Sequence, residues 1–125
     1  MRVIALDISS SLLATAVERS LKENELDFQV MRVNETELLK LGPKNNIYAV
    51  ILEVLTVFPY KLTQRLSLIQ KVKENLLQCK FVLLTDENDG QLTNSVKQAK
   101  KDNLIDNFVF TTVSPAYLAA VMDSL

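Results

Sequence analysis

Ile47-Tyr48-Ala49-Val50-Ile51-Leu52-Glu53-Val54-Leu55 carries one acid in an otherwise hydrophobic run. Apolar side chains at odd and even positions alike mark a strand covered on both faces, as in a parallel sheet between two helix layers. Glu53 is the interruption. Upstream, Gly42-Pro43 stops a short helix over Glu37 to Leu41 that Asn34 or Thr36 can cap. Before it, Leu26 to Val33 alternates as a second strand, with Leu26, Phe28 and Val30 set between Asp27 and Gln29. The chain opens with a short buried strand, Val3 to Leu6, ending at Asp7. Ser9-Ser10-Ser11 then forms a polar turn, and Leu12, Leu13, Ala16, Val17 and Leu21 follow at helical spacing to about Lys22 or Asn24.

Downstream of the central run, a loop holds Phe58-Pro59-Tyr60. Leu62, Leu66, Ile69, Val72 and Leu76 then recur every three or four residues, which predicts a helix to about Gln78. Phe81 to Leu84 is a fourth strand ending at Thr85-Asp86, and Asp86 to Gly90 is a polar loop. Leu92, Val96 and Ala99 lead a helix into Asp102-Asn103, and Phe108 to Phe110 supplies a fifth strand. Ser114-Pro115 places a cap and a first-turn proline before a terminal helix over Ala116 to Leu125. Five strands alternating with five helices predict an α/β fold, a three-layer doubly wound (βα)5 domain around a central five-stranded parallel sheet.

At 125 residues the chain is one domain, residues 1–125, with no internal repeat or linker. Hydrophobic residues make up 48% and charged residues 23%, which excludes a chain held open by charge. Two glycines and three prolines are few beside the average usage of roughly one residue in eight. A formal net charge of −1 gives no electrostatic footprint for nucleic acid or an anionic membrane. Cys79 alone cannot form an internal disulfide, and Asp7 ends the opening apolar run too early for a signal peptide, so the cytoplasm is the expected compartment.

In open α/β sheets ligands bind beyond the carboxyl ends of the strands. The residues there are Asp7, Glu53, Thr85 with Asp86, and Thr111 with Thr112. Acids from the first and third strands can meet to hold a divalent cation, or each can simply end an apolar run where it reaches solvent. The absence of histidine removes imidazole acid–base chemistry, the Ser-His-Asp and Cys-His arrangements and most zinc sites. Gly42 and Gly90 are too few and too far apart for a G-x-G-x-x-G or Walker loop. No tryptophan is present to stack on a flavin, and no cofactor is expected. Cys79 reads as a core residue before a nucleophile, and the three serines as capping groups before an anion site.

With this layout the chain resembles the receiver domain of bacterial two-component response regulators, a CheY-like, flavodoxin-like fold, over essentially its whole length. Val3 to Leu13 looks like the first strand with its acid pair, and Tyr48 to Val54 like the third strand ending at the phosphoacceptor. Val82 to Thr85 looks like the fourth strand with its hydroxyl switch residue. Phe110-Thr111-Thr112-Val113-Ser114-Pro115 looks like the end of the fifth, where Phe110 occupies or neighbours the aromatic switch position. The resemblance places Glu53 at the phosphoacceptor position, Asp7 and Ile8 at the acid pair, and Thr111 and Thr112 at the lysine and cis-proline positions. Ile8 can ligate nothing. Glu53 carries an extra methylene, a displacement able to cost ~100-fold in an in-line reaction. The pocket is therefore expected to have too few metal-holding oxygens and no cation for a transferred phosphate.

The resemblance thus implies an atypical, pseudo-receiver domain that signals by protein contact without aspartyl phosphorylation, and that is not an enzyme. The alternative is a residual Mg2+-dependent phosphoacceptor built on Asp7, Glu53 and Asp86. A sharper version lets Glu53 press its charge toward Thr85 and imitate the activated state; against it, Glu53 is a plain terminal acid. Expected partners are another signalling protein or a fused output domain, with a homodimer through the fourth helix, fifth strand and fifth helix also open. On that face lie Tyr117, Phe108 and Phe110, and core packing is the simpler role for both phenylalanines.

Overall fold

A computed structural model describes residues 1–125. In chain order the elements are β1 (Arg2–Asp7), α1 (Ser11–Lys22), β2 (Phe28–Arg32), α2 (Glu35–Leu39), a 3-10 turn (Pro43–Asn45), β3 (Ile47–Glu53), α3 (Leu62–Lys73), β4 (Lys80–Thr85), α4 (Gly90–Lys101), β5 (Asn107–Phe110) and α5 (Pro115–Asp123). The strands form one parallel sheet in the order β2-β1-β3-β4-β5. β1, β3 and β4 are interior, which is why their sequences are apolar on both faces.

Strand alternation divides the core in two. Ala5, Val50, Leu52, Phe81 and Leu83 face Leu38 of α2, Leu68, Ile69 and Val72 of α3 and Val96 and Ala99 of α4. Ile4, Leu6, Ala49, Ile51, Val82, Leu84 and Val109 face Val17 and Leu21 of α1 and Leu118, Val121 and Met122 of α5. Full burial of each valine, leucine, isoleucine, phenylalanine or methionine among them contributes about 1.5–3 kcal/mol relative to exposure. The three layers expected from the sequence are therefore present.

Several boundaries differ from the expected ones, for local reasons. β3 ends at Glu53: Val54 N still donates across to Leu84 O of β4 (2.9 Å), and the chain then turns, with Leu55 N donating to Tyr60 O (2.8 Å). The Val54 side chain is buried, so its hydrophobicity serves the core beyond the end of the strand. α2 starts at Glu35 because the Asn34 side chain accepts from Glu37 N while the Glu37 carboxylate accepts from Asn34 N, a reciprocal cap. α3 stops at Lys73, and Leu76 reaches the core from the turn that follows. α4 begins at Gly90, capped by Asp89 through Leu92 N at 3.0 Å. α5 starts on the Ser114 cap and Pro115 as expected.

At the opposite end of the sheet, the Tyr48 hydroxyl donates to Met122 O at 2.6 Å, tying β3 to α5. Arg2 lies over the Phe28 and Tyr48 rings (4.5 and 5.1 Å) and pairs with Asp123 at 2.7 Å. Cys79 is buried just before β4, and burial, with Asp106 adding to it, pushes its thiol up to about 12. It is a core residue. No helix is long and apolar enough to cross a membrane.

Candidate functional site

The register brings the expected residues to one edge. Asp7 stands against Leu52, Glu53 against Leu84 and Thr85 against Phe110, all at the carboxyl ends of their strands. Alternation then separates their side chains. Asp7 and Thr85 continue the face of Ala5 and Leu83, toward α2, α3 and α4, while Glu53 continues the face of Ala49 and Ile51, toward α1 and α5. The acids share an edge without converging on a common ligand.

Each carboxylate has its own partner. Glu53, 6% exposed, accepts with Oε1 from the Ser9 backbone N–H at 2.8 Å and from the Ser9 hydroxyl at 2.6 Å. These are charge-assisted bonds, shorter and stronger than neutral ones. Neighbouring Ser10 is the actual cap of α1, accepting from Leu13 N at 3.3 Å. The serine turn therefore does both jobs read from it, with the chain's own Glu53 as the anion. Ile8 is packed against the apolar cluster under α1 and α5.

Asp7 meets a residue the sequence reading did not single out. Arg65, in the first turns of α3, is 1% exposed and donates from Nη1 to Asp7 Oδ2 at 2.8 Å. Its Nη2 donates to Asp7 O at 3.1 Å and its Nε to Glu53 O at 2.7 Å, and the Tyr60 ring covers the guanidinium at 4.6 Å. This edge of the sheet does hold a cation, supplied by α3 and not by the end of β5, and its donors are committed to Asp7 and the Glu53 carbonyl. The signal was available in the sequence. Arg65 falls three residues after Leu62 and four before Ile69, on the apolar stripe of its helix, where a charge without a buried partner is rare.

The remaining positions are plainer. Thr85, 1% exposed, has a side-chain hydroxyl with no hydrogen-bond partner. Glu53 therefore makes no bond to it, and an imitation of the activated state transmitted from Glu53 through Thr85 has no contact to travel along. Thr111 N donates to Thr85 O at 3.0 Å, and Thr112 Oγ1 donates to Glu87 at 2.8 Å, closing the loop after β4 onto the loop after β5. Asp86 accepts from Asn88 N in its own turn. No group of three or more metal-ligating side chains exists, so the trio of Asp7, Glu53 and Asp86 on which the alternative reading depends does not form. The residues present do not fit a divalent ion: one acid is neutralised by Arg65, the other is engaged by Ser9, and position 8 is apolar.

Phe108 and Phe110 pack edge to face at 5.7 Å, and both are only partly buried. With Lys100, Val113 and Tyr117 they line a groove of about 480 Å³ between α4, β5 and α5. Core packing alone does not describe them.

No family model and no curated protein matches the chain. Solved structures do. The REC domain of AraT, a response regulator from Geobacillus stearothermophilus, is similar at 15% identity with a TM-score of 0.73, covering 98% of this chain and 91% of that one. A DNA-binding response regulator of the LuxR family from Staphylococcus aureus is similar at 17% identity and 0.70, covering 99% and 98%. An adenylate cyclase from Rhodopirellula baltica is similar at 16% identity and 0.75, covering 98% and 85%. The chain has the fold of a response-regulator receiver domain, the CheY-like, flavodoxin-like arrangement.

Proposed function

We propose that this chain is a pseudo-receiver: a cytoplasmic, non-enzymatic signalling module that works by protein contact without phosphorylation at residue 53. The observation that carries the reading is the engagement of the Glu53 carboxylate by both donors of Ser9. A nucleophile must offer a free oxygen lone pair in line with the phosphoryl donor. The two hydrogen bonds to Glu53 Oε1 fix the whole carboxylate, the unbonded Oε2 included, on a side chain directed away from the face of Asp7 and Thr85, out of line with a donor held there. No lysine stands at Thr111 to stabilise transferred charge.

The partner surface is the aromatic groove between α4, β5 and α5. It supplies the features that favour protein contact: exposed Tyr117, two partly buried phenylalanines and a lysine at the edge. The occupant is a signalling protein, a fused output domain or a second copy of the chain. Response regulators of this fold include a DNA-binding one, which is the kind of output such a module serves.

The test is incubation of the chain with acetyl phosphate and Mg2+ followed by intact-mass measurement. An unchanged mass is expected. A phosphoryl adduct at Glu53 or Asp7 would overturn the reading in favour of a residual phosphoacceptor.

A further inference from the structure

We propose that Arg65 is a tethered cation that occupies the place of a bound metal at the top of this sheet, and that its removal turns the pocket into a divalent-cation site. The three groups Arg65 contacts at the strand ends are all oxygens: one carboxylate oxygen of Asp7, the Asp7 carbonyl and the Glu53 carbonyl. Carboxylates and backbone carbonyls are the ligands that hard cations such as Mg2+ and Ca2+ select. A guanidinium satisfies the same set with directed N–H donors, and it is always charged.

The arrangement binds β1 to β3 from above. Asp7 closes β1 and Glu53 closes β3, and Arg65 reaches both from a helix packed on the same face. The Tyr60 ring over the guanidinium shields it further from water. An incoming divalent ion would have to displace three hydrogen bonds and would meet a fixed positive charge within contact distance. The tether therefore makes the strand ends independent of metal. Asp7 and Arg65 also need each other, since either alone would be a buried, unpaired charge.

The inference rests on the pocket described under the proposed function, but the two fail separately. A phosphoryl adduct on the unaltered chain defeats that reading; the metal response of Arg65 variants tests this one. The experiment is thermal unfolding of the full chain in EDTA, in 10 mM Mg2+ and in 10 mM Ca2+, for the unaltered protein, Arg65→Ala and Arg65→Gln. Gln is neutral, keeps part of the stem and is the gentler change. The unaltered protein should melt at the same temperature in all three solutions. Both variants should melt lower in EDTA, and a divalent ion near saturation should raise them by roughly 5–10 °C. A variant that folds only with the ion present supports the proposal. A metal-dependent gain in the unaltered protein overturns it, as does a flat response in both variants or a loss of folding that no divalent ion restores.

Discussion

Replacing Arg65 by Met keeps a similar stem under Tyr60 and removes the charge, leaving the Asp7 carboxylate, with its side chain only 10% exposed, without its cation. Breaking a buried pair from one side costs about 3–5 kcal/mol, because the surviving charge stays desolvated. A domain of 125 residues has a total stability of roughly 6–19 kcal/mol, so the variant should still fold. Its unfolding entropy is about 260 cal/mol/K, which makes each kcal/mol worth about 4 °C. Arg65→Met should therefore melt roughly 12–20 °C lower. Adding Asp7→Asn to Arg65→Met removes the stranded charge at almost unchanged shape. That double variant should recover about 2 kcal/mol, or about 8 °C, although the Asp7 and Glu53 carbonyls still lack their donor. Urea unfolding followed by circular dichroism measures all three, and an unchanged slope with denaturant shows that stability alone moved. The reasoning is refuted if Arg65→Met loses less than about 1 kcal/mol, the range of an exposed pair, or if the double variant is less stable than the single one.

Other consequences are smaller. With its thiol pushed up to about 12, Cys79 should carry only about one thiolate in 10⁴ at pH 8. Iodoacetamide should leave the folded protein unmodified and label it readily in urea; fast labelling of the folded chain would contradict the burial. Glu18 is held below its ordinary pKa, first by the hydrogen bond from Lys22 and also by Arg32, against partial desolvation. A carboxyl depressed in the folded state stabilises above its unfolded pKa and loses that contribution as pH falls through the folded value. Glu18→Gln should thus lower the urea midpoint more at pH 7 than at pH 3, and the difference should shrink in 0.5 M salt. An equal effect at both pH values would contradict the pairing.

The architecture was legible because it depends on period and covering. β1, β3 and β4 are apolar on both faces, and a strand sandwiched by helices has no other sequence form. Where the reading overran, hydrophobicity continued past the regular backbone. Val54 and Leu76 are both buried, yet one lies in the turn after β3 and the other beyond α3. Burial is written in side chains, whereas the end of a strand or helix is set by backbone hydrogen bonds such as Leu55 to Tyr60, which leave no compositional mark. The positions of Asp7, Glu53 and Thr85 were readable from strand ends alone. Their partners were not, because Ser9 to Glu53 spans 44 residues and Arg65 to Asp7 spans 58.

The long-range partners also decide how polar groups are tolerated at these strand ends. Three acidic or hydroxyl groups closed in at the end of a sheet are costly unless each finds a partner. Asp7 and Glu53 have found one each, a guanidinium from α3 and a pair of donors from the serine turn, while Thr85 keeps a hydroxyl with none. Satisfying the two charges within the chain leaves neither in need of an external cation. The same satisfaction fixes the loop after β1 to β3, and β1 to α3. Motion at this edge would have to break charged, buried hydrogen bonds, whereas the groove at α4, β5 and α5 lies at the open side of the sheet, along an edge strand. Under the function proposed above, rigidity at the top and an unpaired edge at the side suit a constitutive contact surface better than a phosphorylation switch.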